Sequence, residues 1–261
     1  MLIVDSHCHA GETWYEPIET LLYQLDVHEI TKAVLVQHAG SYDNSYLLEC
    51  ASRFPNKFAV VALVDTSKTN PLQITEKLAE EGATAIRLKP NDRSPGSNPL
   101  AIWQKASDLN LVVSCIGEVK DFASNEFHKL VSELPDLKIV VEHMAGVGHH
   151  SKSPYDTFKK AMELAKFKNT YIKIGGLGEI YERPHFHTRI DVFKDTSPLI
   201  NLAYNAFGSS RMMWGSDFPP VSNREGYKNA LNGIMTHPIF QNIRDREWVM
   251  GKTAINVFTF Q

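Results

Sequence analysis

Eight short, apolar, β-prone runs recur along this chain, and a helix-patterned stretch follows each of them. The runs occupy residues 2–6, 32–37, 58–64, 84–88, 111–116, 138–142, 170–174 and 211–215. Helical periodicity falls between and after them, over 17–28, 43–54, 71–81, 99–109, 121–134, 154–167, 197–207 and 224–235. A ninth helical pattern, 245–258, closes the chain. Pro17, Pro71, Pro99 and Pro154 open four of these stretches, where a missing N–H costs nothing because the first helical turn has no partner for it. Eight strand–helix units in 261 residues are what a single (β/α)8 TIM barrel with an extra C-terminal helix requires. A doubly wound open sheet would need a glycine-rich phosphate turn, and none is found. No repeat, low-complexity tract or linker interrupts 1–261, so one domain is expected.

Composition matters mainly for what it excludes. A net charge of −3 gives no reason to expect a nucleic-acid or membrane partner, and no apolar run approaches the ~20 residues of a membrane span. The N-terminal apolar residues lack a preceding basic region, so a signal peptide is not expected. Cys8, Cys50 and Cys115 are odd in number and form no CxxC, so no disulfide framework is implied and a reducing cytoplasm is the expected compartment.

A barrel of this kind places its chemistry at the carboxyl ends of the strands. The polar residues at those positions are therefore informative. The first strand delivers His7 and His9 at a spacing of two, and strict alternation would set Asp5, His7 and His9 on one face. Two aligned imidazoles suit a metal or the oxygen of a polarised carbonyl. His38 follows the second strand, Arg87 and Lys89 lie on or beside the fourth, and Lys173 is in the seventh. The sixth ends Val140-Val141-Glu142-His143, with His143 expected to share a face with Val141 and Ile139. The eighth ends Trp214-Gly215-Ser216-Asp217, with Asp217 expected to share a face with Gly215 and Met213.

Three of these stretches carry a resemblance. Val4-Asp5-Ser6-His7-Cys8-His9, Glu142-His143-Met144-Ala145-Gly146 and Met213-Trp214-Gly215-Ser216-Asp217-Phe218-Pro219 together resemble the amidohydrolase superfamily. The match is best to its amidohydrolase-related branch of lactone hydrolases and metal-dependent decarboxylases. It runs along the whole chain, through Asp43-Asn44-Ser45-Tyr46-Leu47-Leu48, Ala85-Ile86-Arg87-Leu88 and Gly251-Lys252-Thr253-Ala254-Ile255-Asn256. The resemblance implies that His7, His9 and Asp217 act on the scissile centre. The opening is also similar to TatD-type nucleases, but their last strand carries Glu-Thr-Asp, and this chain lacks the basic surface that would hold a polyanion.

Metal-dependent members of the superfamily usually add a His at the end of the fifth strand. Here that strand ends Ser114-Cys115-Ile116-Gly117-Glu118. His7, His9 and Asp217 alone could hold one divalent metal such as zinc in an open three-ligand site, and Cys115 or Glu118 could add a fourth ligand. Some lactonases of the branch work without metal, so chemistry with no required cofactor is the expectation. A mononuclear metal-dependent hydrolase or decarboxylase is the alternative, and a binding protein that has lost its chemistry is a further one.

The chemistry so implied is addition of water to a carbonyl. Asp217 takes the water proton, while His7, His9 and His143 surround the developing oxyanion. Without a metal at least one imidazole must donate an N–H or be protonated, and a neighbouring Asp217 favours the protonated form. Arg87 offers a planar fork to a substrate carboxylate, so a small anionic lactone, or a related ester or amide, is the expected substrate; the alternative for Arg87 is a structural ion pair. Lys173 carries the same two readings. Trp14 and Tyr15 should wall the mouth, with His38 nearby. The long connection 176–194 holds Glu179, Tyr181, His185 and His187 and reads as a lid. His149 and His150 read as lid polarity, and His28, His128 and His237 as surface residues. A homo-oligomer is compatible with all of this.

Overall fold

The computed structural model describes residues 1–183 and 198–260. Eight strands, β1 (Val4–Cys8), β2 (Lys32–Val36), β3 (Phe58–Leu63), β4 (Ala85–Leu88), β5 (Val112–Cys115), β6 (Ile139–Val141), β7 (Thr170–Ile174) and β8 (Met212–Trp214), pair in parallel in chain order. Helices separate them, among them Ile18–Val27, Ser45–Arg53, Pro71–Glu80, Ala101–Asp108, Asn125–Glu133, Asp156–Met162, Pro198–Phe207 and Tyr227–Met235. This is the expected (β/α)8 barrel. No helix among the described residues is long and apolar enough to cross a membrane.

Strand alternation divides the apolar residues between two cores. Val4, Val36, Val61, Ala85, Val140 and Met213 fill the barrel interior. Leu35, Val60, Ile86, Val113, Val141 and Trp214 face outward against the helices. The C-terminal helical stretch runs Ile243–Glu247, then one wide turn, Trp248–Lys252, then Thr253–Val257. Its Ala254, Val257 and Phe258 join the interior core, so the end of the chain packs with the inward-facing strand residues.

Two departures from simple alternation shape the mouth. Val4 and Cys8 lie four residues apart and should share a face, yet Val4 belongs to the interior and Cys8 to the helix-facing core. A register irregularity between Asp5 and Cys8 accounts for this, since one extra residue reverses a strand's parity. Asp5 therefore turns away from His7 and His9. It faces the seam between β1 and β8, where its Oδ1 accepts from the Ser216 N–H at 2.8 Å and the His7 N–H at 3.2 Å. Its Oδ2 accepts from Ser216 Oγ at 2.6 Å and Tyr227 Oη at 2.7 Å. Beyond the strands the seam continues through backbone bonds, Asp217 N–H to His7 O at 2.7 Å and His9 N–H to Phe218 O at 2.8 Å. Burial pushes the Asp5 carboxyl up in pKa, and its four donors oppose that shift.

Asp5→Asn keeps the shape but presents an N–H₂ to groups that are already donors. Leaving a buried polar group unmatched costs about 1–3 kcal/mol, so urea unfolding of Asp5→Asn should show a loss of that size. An unchanged midpoint would mean the seam does not depend on this carboxylate.

Candidate active site

At the carboxyl end of the barrel, interior positions change from apolar to charged. Arg87 follows Ala85 inward on β4, Ser114 follows Val112 on β5, and Glu142 follows Val140 just past β6. Arg87 and Glu142 are only 3% and 1% exposed. Arg87 Nη2 donates to Glu142 Oε2 at 2.7 Å, Nε to the same carboxylate at 3.1 Å, and Nη1 to the Gln37 carbonyl at 2.9 Å. Ser114 Oγ donates to Glu142 Oε1 at 2.6 Å. Burial alone would raise the Glu142 carboxyl, but the charges of Arg87 and Lys173 outweigh it and hold the group at about 2. Arg87 thus occupies its fork on a protein carboxylate, the ion-pair arrangement of the two open to it.

Lys173, inward on β7 and 2% exposed, donates from Nζ to Ser114 Oγ at 3.1 Å and to His7 Nδ1 at 3.2 Å. Burial lowers its pKa to about 8, which leaves the ammonium the majority form at neutral pH. A ring whose Nδ1 accepts must carry its hydrogen on Nε2. The Nε2 of His7 is buried with no hydrogen-bond partner and lies 3.9 Å from Asp217 Oδ1. Burial, then the Lys173 charge, holds His7 well below the usual imidazole range. His9 is anchored differently: its Nδ1 donates to the Val36 carbonyl at 2.6 Å, and its Nε2 faces Asp217 Oδ1 at 3.3 Å.

His143 reaches the same recess by a route that alternation does not give. Val141 and Ile139 face the helices, so a continued strand would carry His143 outward with them. Instead the backbone turns left-handed at His143, Met144 and Ala145, with φ of 46, 48 and 60°, and the ring comes within 4.6 Å of His7, centroid to centroid. Asp217 likewise has φ 58°. Gly215 lets the two ends of the barrel seam meet, since a Cβ there would lie 2.6 Å from that of His7. His7, His143, Lys173 and Asp217 line a common narrow recess.

A second layer of charge joins the loops beyond β7 and β8. Glu179 Oε1 accepts from His143 Nδ1 at 3.2 Å. Arg224 Nη1 donates to Asp217 Oδ2 at 2.8 Å, and its other nitrogens pair with Glu179 at 3.3 Å and Glu225 at 3.5 Å. Gly175, Gly176 and Gly178 make room for these carboxylates; a Cβ on any of them would fall within 2.2 Å of Glu179 or Glu225 oxygens. Burial would lower His143, but Glu179 overrides it and raises the ring to about 9. Burial would raise Asp217, but its His9 contact and the charges of His143 and Arg224 hold it below the usual carboxylate range.

Glu142, Ser114, Gln37, Arg224 and Glu225 carry no site signal of their own in the motifs and periodicity of the chain. Glu142 and Ser114 are reached only by carrying the inward parity of Val140 and Val112 one step further. Arg224 was placed in a helix that starts only at Tyr227, and a loop residue leaves no periodic signal. Tyr15 stacks on His9 at 5.1 Å and meets His38 edge-on at 5.4 Å, while Trp14 is 64% exposed beside it. Cys115 faces the helices, and Glu118 is exposed on a salt bridge with Lys120; neither enters the recess. His149 and His150 are exposed. His128 and His237, expected at the surface, are buried: His128 lies edge-on to Phe167 and donates from Nε2 to the Phe122 carbonyl at 3.1 Å, and His237 packs against Phe240. His185 and His187 lie outside the described residues.

His7, His9 and Asp217 each bring one ligand atom within 4.8 Å of the other two, a donor set of the type that binds zinc. A metal on His7 Nε2 needs a lone pair where the Lys173 contact leaves a hydrogen, and needs it beside a buried ammonium. With Lys173 as the donor, His7 offers a dication no lone pair, whereas His9 Nε2 and Asp217 Oδ1 do.

The protein-family model described as amidohydrolase matches residues 4–260. Among curated relatives, an L-fucono-1,5-lactonase from Burkholderia ambifaria is 26% identical over 253 residues, covering 86% of this chain and 82% of its own. Solved structures share the fold at lower identity. A candidate 2-pyrone-4,6-dicarboxylic acid hydrolase from Pseudomonas putida superposes with a TM-score of 0.79 at 20% identity, covering 100% of this chain and 98% of the other. A zinc-bound amidohydrolase from Burkholderia multivorans superposes with a TM-score of 0.81 at 17% identity, covering 98% of this chain and 99% of the other.

The Arg87–Glu142 pair sets a stability expectation. Removing one partner strands a buried charge at a cost of about 3–5 kcal/mol. Arg87→Met and Glu142→Gln should each show that loss in chemical denaturation, and the double variant should lose less than their sum. Because the Glu142 pKa is depressed, its contribution is complete above pH 4.5 and disappears as pH falls through about 2. Wild type should therefore lose stability in that acid window more steeply than Glu142→Gln.

Proposed function

The chain belongs to the amidohydrolase family, and on that premise we propose that it hydrolyses a small lactone by adding water to the ring carbonyl without a resident metal. The observation that carries this reading is the unpartnered His7 Nε2, given a hydrogen by the Lys173 contact on Nδ1 and directed toward the recess beside Asp217. An N–H donor, a carboxylate base and an imidazolium then converge on one small space, which is the set that a carbonyl addition needs.

Asp217 is ionised at neutral pH and takes the proton as water oxygen bonds to the carbonyl carbon. The carbonyl π pair moves onto oxygen, and the oxyanion is held by His7 Nε2–H and the imidazolium of His143. His9, fixed by Nδ1–H on the Val36 carbonyl, faces Asp217 Oδ1 with Nε2 and holds the base by hydrogen bond in its imidazolium form, the only form with a hydrogen on both nitrogens. Collapse of the tetrahedral carbon breaks the ring C–O bond. The leaving alkoxide takes a proton from His143, and protonated Asp217 returns one to His143 through water, so the product hydroxy acid leaves both groups in their starting states. Arg87 and Glu142 do not touch the reacting atoms in this scheme; they hold the Ser114–Lys173 chain that sets the His7 tautomer. A lactonase reading also agrees with the L-fucono-1,5-lactonase likeness. The expectation of an anionic substrate rested on Arg87, and that guanidinium is engaged with Glu142 and Gln37.

Asp217→Asn should keep the fold and substrate KM but lose roughly 10²–10⁴-fold in kcat, because an amide cannot accept the water proton. Retention of full turnover would end the proposed role of this carboxylate.

Metal analysis gives an independent check. Purified protein should carry substoichiometric zinc and keep its activity after chelation, while Lys173→Met, which frees His7 Nδ1 and removes the ammonium, should bind zinc more tightly than wild type in calorimetry. One equivalent of zinc per wild-type chain, with activity lost on its removal, would overturn the metal-free mechanism.

A further inference from the structure

Beside the recess, on the His9 side, the loops that follow β1 and β2 enclose a second cleft of 210 Å³. It is joined to the site through side chains: Tyr15 stacks on His9 and meets His38 of the cleft edge-on, and the carbonyl of Gln37, another lining residue, receives Arg87. Its walls are Trp14, His38 and Tyr46, and its polar groups are Glu12, Ser41 and Asp43. None of the described lining residues is a lysine or an arginine. Asp43 is fixed: its Oδ1 accepts from the N–H and Oγ of Ser45 at 3.0 and 2.6 Å, and these bonds hold its carboxyl below the usual range.

The cations of the neighbouring recess are committed elsewhere. Arg87 pairs with Glu142, Lys173 donates to His7 and Ser114, His143 pairs with Glu179, and Arg224 is shared by Asp217, Glu179 and Glu225. Among the described residues, then, a substrate carboxylate lying in this cleft would meet two carboxylates and no side-chain ammonium or guanidinium. A hydroxyl would meet acceptors in Glu12, Asp43 and Ser41 and an aromatic face in Trp14.

We propose that this cleft holds the part of the substrate distal to the scissile carbonyl and that Glu12 and Asp43 make it a charge filter, admitting neutral, hydroxyl-bearing lactones and turning away their carboxylated counterparts. The inference rests on the lactonase reading above and adds to it the residues that select among lactones. Two like charges about 4 Å apart in water repel by ~1 kcal/mol, which is about fivefold in an equilibrium, and two carboxylates facing the substrate act together.

The test uses a matched pair: a polyhydroxylated δ-lactone ending in CH₂OH and the same lactone with that carbon oxidised to a carboxylate. Wild type should favour the neutral member in kcat/KM by about tenfold, mainly through KM, and Glu12→Gln with Asp43→Asn should narrow the preference by about fivefold. Adding salt should narrow it in wild type and much less in the variant. Equal turnover of both lactones by wild type, or a preference unchanged in the variant, would overturn the filter. A second measurement separates this from the hydrolase reading: calorimetric binding of the corresponding neutral and carboxylated lactams, which present the same ring without the labile ester. Tighter binding of the neutral lactam with no hydrolysis of either lactone would support the cleft and refute the chemistry. Failure to bind the neutral lactam, or tighter binding of the carboxylated one, would overturn the inference directly.

Discussion

Everything at the mouth of this barrel depends on Glu142 staying ionised out of water. A lone carboxylate buried that deeply would take up a proton instead. It does not, because Arg87 grips it side-on from β4 while Ser114 donates to it from β5 and Lys173 adds charge from β7. The cluster spans half the barrel circumference, so its geometry is a constraint on how four strand ends stand relative to one another. Any slip in register would strand a charge. The His7 tautomer is one step removed from this cluster, through Ser114 and Lys173, which makes the reactive recess a dependent of the ion pair beneath it.

The architecture was legible in the sequence because a barrel writes itself as period-two and helical stretches in strict alternation, and burial of both strand faces leaves the runs apolar. The same regularity located His7, His9, Lys173 and Asp217. It misjudged what happened where the strands stopped being regular. At β1 one extra residue reverses parity between Asp5 and His9, so a residue expected beside the imidazoles became the seam. At β6 the inward residue is Glu142, and His143 enters only through three consecutive left-handed residues, a conformation with a steric cost that no periodicity encodes. Arg224 and Glu179 meet in loops, where partners are set by tertiary packing. Arg87 was visible from the start, but its role depended on a partner 55 positions away in the chain.

The loop glycines after β7 show how the site was assembled at its rim. Gly175, Gly176 and Gly178 are not needed for unusual φ angles; they are needed as empty space into which Glu179 and Glu225 lean. Those two carboxylates in turn fix Arg224, and Arg224 fixes Asp217. Side-chain volume removed from one loop thereby becomes electrostatic position at Asp217.

The seam between β1 and β8 has a further consequence, for the order in which the protein comes into being. Asp5 and Ser216 are separated by 211 positions, so a ribosome has released seven strands before the partner of the first exists. Until then β1 is an exposed edge, with open backbone groups and an uncompensated aspartate. His7 and His9 sit on that edge. The nascent chain can build most of its barrel and still lack the recess that His7 shares with Asp217, which forms only with the last strand to be synthesised.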